Sequence, residues 1–61
     1  MRPKVRAFIR DMGPCGVDTF ANSLSARNAI AEWYWMGDDD IRQVLTIYYI
    51  QRQPFFIGRR P

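Results

Sequence analysis

The spacing of hydrophobic residues changes along the chain. Apolar and polar residues alternate over residues 4–11 and 17–22, recur every three to four positions over 24–36, and alternate again over 41–53. Alternation places successive side chains on opposite faces of a strand, whereas the longer spacing places them on one face of a helix. The pattern therefore predicts two strands, one helix and a third strand.

The polar and small residues between these segments predict turns and helix ends. Residues 12–16 contain two glycines and a proline, which predicts a hairpin turn between the first two strands. Ser23 is the predicted N-cap of the helix, with Ser25 as the alternative. Gly37 is the predicted left-handed residue that ends the helix. The three aspartates at 38–40 predict a solvated turn before the last strand.

The long segment 41–53 is predicted to be the main strand of a small sheet. Leu45, Ile47 and Tyr49 share one face, which is expected to pack under the helix, while Arg42 and Arg52 lie on the opposite, open face. A further short strand at 55–57 would make the order ββαββ instead of ββαβ. The predicted fold is thus α+β, a single domain over residues 1–61 with an antiparallel sheet of three to four strands on one helix.

The amino-acid composition argues against several classes of function. The chain has 61 residues, a net charge of +3, one cysteine and no histidine. A lone cysteine predicts a reducing, cytoplasmic compartment, and no apolar stretch is long enough to predict a membrane span. Without histidine, neither a zinc site nor a Cys–His nucleophile is expected, and no phosphate-binding glycine loop occurs. The sequence therefore predicts a non-enzymatic protein without a metal or cofactor.

Arginines and aromatic residues supply the candidate partner-binding surface. On the predicted sheet, an open face combines cations with aromatic rings, a mixture that suits a protein interface, stacked nucleic-acid bases or a merely solvated surface. Consecutive helical positions differ by about 100°, so within 33–35 Trp33 is expected in the core and Tyr34 or Trp35 outside. The candidate partner-binding residues are Lys4, Arg6, Phe8, Arg10, Trp35, Arg42, Tyr48, Arg52, Arg59 and Arg60.

The run from Asp18 to Trp33, DTFANSLSARNAIAEW, resembles a layout of very small phage proteins in which a strand enters an alanine-rich helix through a serine cap and another strand follows. Phage inhibitors of bacterial RNA polymerase and several anti-CRISPR proteins have this layout. The resemblance implies an inhibitor that blocks a host protein or nucleoprotein complex, such as a CRISPR effector, in the bacterial cytosol. The alternatives are a small basic DNA- or RNA-binding regulator and a structural subunit of a virion or homo-oligomer. For so small a chain, a homodimer or a larger partner would each cover leftover apolar surface.

Overall fold

The structure, a computed structural model, describes residues 1–52 and contains three helices. These are α1 (Pro3–Asn22), α2 (Leu24–Trp33) and α3 (Asp38–Arg52). No strand occurs in this range, so the α+β prediction is wrong over residues 1–52. The strand predicted at 55–57 lies outside the described residues.

The strands predicted at 4–11, 17–22 and 41–53 are all helical as far as residue 52, because their apolar residues also fit a helical period. In α3, Ile41, Val44, Leu45 and Tyr48 follow the i, i+3, i+4, i+7 spacing of one helix face. Val44 is fully buried and Tyr49 is exposed, which is the reverse of the inward face expected for a strand. The apolar residues of this segment therefore fit both the alternation of a strand and the three-to-four spacing of a helix, and packing against the other helices favours the helix.

A sharp bend divides α1 at Gly13. This residue has φ 68° and ψ −165°, a backbone conformation that is almost restricted to glycine. Pro14 follows and begins the second half of the helix, where its missing N–H removes no helical hydrogen bond. The prediction of a hairpin turn over 12–16 is therefore wrong, because helix continues on both sides of Gly13. The Gly13-Pro14 pair does, however, change the direction of the chain.

The bend brings the two halves of α1 together in the core. The rings of Phe8 and Phe20 lie with their centroids 5.4 Å apart, whereas in a straight helix the two residues would be about 18 Å apart along the axis. Gly16 is part of the same close approach, because an added Cβ would lie 2.4 Å from Cβ of Met12. The buried core draws on all three helices and consists of Val5, Phe8, Val17, Phe20, Ile30 and Val44.

Helix α2 begins where the sequence predicts. Ser23 has an extended backbone, and its Oγ accepts a hydrogen bond from the N–H of Ala26 at 3.2 Å. This confirms Ser23 as the N-cap. The helical prediction for 24–36 is confirmed as far as Trp33, where α2 ends.

An ion pair joins the beginnings of α1 and α3. Asp40 accepts a hydrogen bond from Nε of Arg2 at 2.5 Å and another from the N–H of Gly37 at 3.1 Å. The backbone N–H of Arg2 donates to Oε1 of Gln43 at 2.7 Å. The expected solvated turn at 38–40 is thus the first turn of α3, and Asp40 is buried. The Arg2 guanidinium, and secondarily the Gly37 N–H, hold the pKa of the Asp40 carboxyl below its usual range.

Replacing Gly13 tests the bend. L-alanine at this position must adopt a conformation that L side chains rarely take, so Gly13→Ala is expected to lower the free energy of unfolding by about 1–3 kcal/mol. The matched control is D-alanine, for which the same dihedral angles are the mirror image of an ordinary extended conformation and are therefore favourable. Urea denaturation of the synthetic chains, followed by far-ultraviolet circular dichroism, measures both. Equal stability of the two alanine chains would contradict the bend.

The Asp40 carboxylate is expected to make stability depend on acid pH. Because its pKa is lower in the folded state, its contribution is present above the pKa of the unfolded chain, about pH 4, and is lost as pH falls through the folded pKa. Asp40→Asn should therefore be less stable than the wild type at neutral pH and should lose less stability on acidification. Thermal unfolding across this pH range measures the difference, and Asp38→Asn, which changes an exposed carboxylate in the same turn, is the control that should retain the wild-type response.

Candidate interaction surface at the end of helix α2

The structure separates the basic residues that the sequence placed on one sheet face. In a helix Lys4 and Arg6 lie about 200° apart, so they point to different sides of α1. Phe8 is completely buried and belongs to the core, which removes it from any surface. Arg6 and Arg10 remain together, one helical turn apart, and line a groove of about 300 Å³ with Met1, Pro3 and Ala7.

The predicted partner-binding residues of α3 do not join that groove. Arg42 is exposed and lines a second groove of about 320 Å³ with Arg2, Asp39, Gln43 and Thr46. Tyr48 is half-buried, and its hydroxyl oxygen accepts a hydrogen bond from the side-chain amide of Asn22 at 3.3 Å. The side chain of Arg52, together with Arg59 and Arg60, lies outside the described part of the chain.

The aromatic run at 33–35 is arranged differently from the prediction. Tyr34 is the residue that turns inward: its ring contacts Phe8 edge-on, with centroids 5.8 Å apart, and its hydroxyl donates to Asp11 at 2.9 Å. This hydrogen bond raises the pKa of Tyr34. Trp33, expected in the core, is instead 64% exposed, and Trp35 is 81% exposed. Both indoles therefore face solvent at the same helix end.

Trp35 occupies a backbone position that normally belongs to glycine. It follows the last turn of α2 with φ 56°, in the left-handed region. The N–H of Met36 donates to the carbonyl of Ala31, and the N–H of Trp35 donates to the carbonyl of Glu32, which together form a Schellman motif. The left-handed residue is thus Trp35, and the prediction of Gly37 for this role is wrong.

A lysine at the beginning of α1 secures this turn. Nζ of Lys4 donates a hydrogen bond to the carbonyl oxygen of Trp35 at 2.7 Å. This carbonyl lies just beyond the C-terminus of α2, where the partial negative charge of the helix end attracts a cation. Lys4, predicted as a partner-binding residue, therefore holds the backbone of the turn that presents Trp35.

Beside the indole of Trp35 the surface is concave. A groove of about 490 Å³ is lined by Ala31, Glu32, Trp35, Met36 and Gly37. Among the described side chains of residues 1–51, none forms a hydrogen bond or ion pair with the Glu32 carboxylate. The groove thus combines an indole, a thioether and one carboxylate. The sequence predicted Trp35 as a partner-binding residue, but it did not predict the groove beside it, because a tryptophan gives no signal for a left-handed helix end.

Comparisons with protein-family models, curated proteins and solved structures found no match to this chain. Within residues 1–52, no group of three or more histidine, cysteine, aspartate or glutamate side chains is placed to hold a metal ion. None of the three described helices is both long and apolar enough to cross a membrane.

Replacing each exposed indole by glycine tests the strain at position 35. Trp35→Gly is expected to raise the free energy of unfolding by about 1 kcal/mol, because glycine takes the left-handed conformation without a steric cost. The matched control, Trp33→Gly, removes the other exposed indole, from the last turn of α2, and should lower stability by about 0.5–1 kcal/mol. Urea denaturation followed by circular dichroism gives both values. Loss of stability in both variants would contradict the strain.

Proposed function

We propose that this chain is a non-enzymatic binding protein that attaches to a protein partner through Trp35. The observation that carries the proposal is the combination of a left-handed backbone with an indole that is 81% exposed. A large side chain in this conformation costs about 1–2 kcal/mol relative to glycine. Because the indole is largely exposed, its burial contributes little stability to offset this cost. A role in binding, outside the fold, therefore accounts for the tryptophan at this position.

Tryptophan is among the side chains that contribute most to protein interfaces, because it offers a large apolar surface with one hydrogen-bond donor. Here the Schellman motif and the Lys4 hydrogen bond fix the backbone that carries the indole. A fixed anchor loses little conformational entropy when a partner binds. These features support a preformed binding site rather than one that orders on contact.

The expectation of a phage inhibitor directed at a host complex stays a prediction. It depended on a strand before and after the helix, and residues 17–50 contain neither. The binding role does not depend on that layout, because Trp35 is exposed in the helical fold as well. The cytoplasmic location expected from the single cysteine is likewise a prediction.

A second candidate function is nucleic-acid binding through the groove of Arg6 and Arg10. The guanidinium of Arg6 has no partner among the described residues, and the groove also contains the N-terminal residue Met1. Phosphates would bind there by releasing counterions, so the affinity would fall steeply as salt rises. Trp35 has no part in this mode, which separates the two functions experimentally.

Capture from a bacterial lysate with three immobilised proteins tests the proposed function. The wild type and Leu24→Ala, which shortens another exposed apolar side chain, should retain the same protein. Trp35→Gly should retain at least about five-fold less of it, since loss of a central aromatic residue commonly costs more than 1 kcal/mol. Mass spectrometry quantifies the retained proteins. Equal retention by all three, or a retained species that disappears on nuclease treatment, would count against a protein partner at Trp35.

A further inference from the structure

The groove beside Trp35 lies in an acidic part of an otherwise basic chain. Residues 32–40 carry four carboxylates and neither lysine nor arginine, although the whole chain has a net charge of +3. Three of these carboxylates lie in the first turn of α3, which begins directly after Gly37 at the edge of the groove. The fourth, on Glu32, lines the groove itself. An approaching cation is therefore attracted, and an approaching phosphate is repelled.

Two cations that contact this region, Arg2 and Lys4, are already engaged. Arg2 is paired with Asp40, and Lys4 donates to the carbonyl oxygen of Trp35 while also favouring the charged form of Asp40. Neither forms a hydrogen bond or ion pair with Glu32. The groove thus offers one carboxylate and the exposed indole of Trp35 to an incoming group.

From this arrangement we infer that the groove formed by Ala31, Glu32, Trp35, Met36 and Gly37 takes an arginine side chain of the partner protein. The planar guanidinium would stack on the indole of Trp35 and donate hydrogen bonds to the Glu32 carboxylate, and its methylene stem would contact Met36. Arginine suits this site better than lysine because it can stack and bind a carboxylate with two parallel hydrogen bonds at once. This inference depends on the proposed function, since it assigns the chemistry of the partner at that same site.

Fluorescence anisotropy with a labelled oligo-arginine peptide at low ionic strength tests the inference on the full chain. The peptide should bind the wild type more tightly than an equally long oligo-lysine peptide. Glu32→Gln should weaken binding about three-fold, the effect of one exposed ion pair. Trp35→Gly should weaken it about ten-fold, as expected for a central aromatic contact.

Asp18→Asn is the matched control for Glu32→Gln. It removes one carboxylate from an exposed position on α1, outside the groove, and should leave the affinity unchanged. Equal losses in the two variants would show that the peptide responds only to net charge, and would overturn the inference. Tighter binding of an oligothymidylate than of oligo-arginine, abolished by Trp35→Gly, would assign the groove to nucleic acid instead.

The remaining outcomes separate this inference from the proposed function. If Trp35→Gly loses the captured protein while oligo-arginine fails to bind the wild type, the Trp35 surface stands and the arginine preference is wrong. Self-association that is lost in Glu32→Gln, measured by sedimentation, would place a second copy of the chain in the groove and would also overturn the inference.

Discussion

The bend at Gly13 is the constraint on which the rest of the described structure depends. It converts what would be a single long helix into two segments whose aromatic residues meet, with Phe8 and Phe20 in ring contact. Sixty-one residues provide little apolar surface, so a core requires that each helix bury its stripe against another. Helix α1 contacts both α2 and α3, and the bend allows it to do so. One residue without a Cβ thus determines how a short chain closes on itself.

The same core positions the candidate interaction surface. The rings of Phe8 and Tyr34 meet edge to face, and the hydroxyl of Tyr34 donates to Asp11 on α1. With Tyr34 held inward, the neighbouring indoles of Trp33 and Trp35 necessarily lie outside. The exposure of positions 33 and 35 is therefore a consequence of core packing, and the left-handed backbone at position 35 follows from the way α2 ends and the chain turns into α3.

The groove of Arg6 and Arg10 and the groove beside Trp35 are expected to bind different partners, because the fold distributes cations and carboxylates unevenly. Arg6 and Arg10 lie together on α1, while Glu32 lies beside Trp35 at the end of α2. Near the latter site, Arg2 is paired with Asp40 and Lys4 donates to the carbonyl oxygen of Trp35, so neither cation pairs with Glu32. This distribution favours a cationic protein segment at Trp35. An anion would instead bind at the separate groove of Arg6 and Arg10.

Sequence pattern determined the short-range features: the N-cap at Ser23, the helix that follows it, and a change of direction at Gly13-Pro14. It did not determine whether segments such as 41–52 are strand or helix, because short runs rich in isoleucine, valine and tyrosine fit both periods. Only the tertiary contacts decided that Val44 is buried, that Tyr34 and not Trp33 points inward, and that Trp35 takes the left-handed position. Those outcomes depend on which helices pack against each other, and that packing is determined by contacts between residues far apart along the chain.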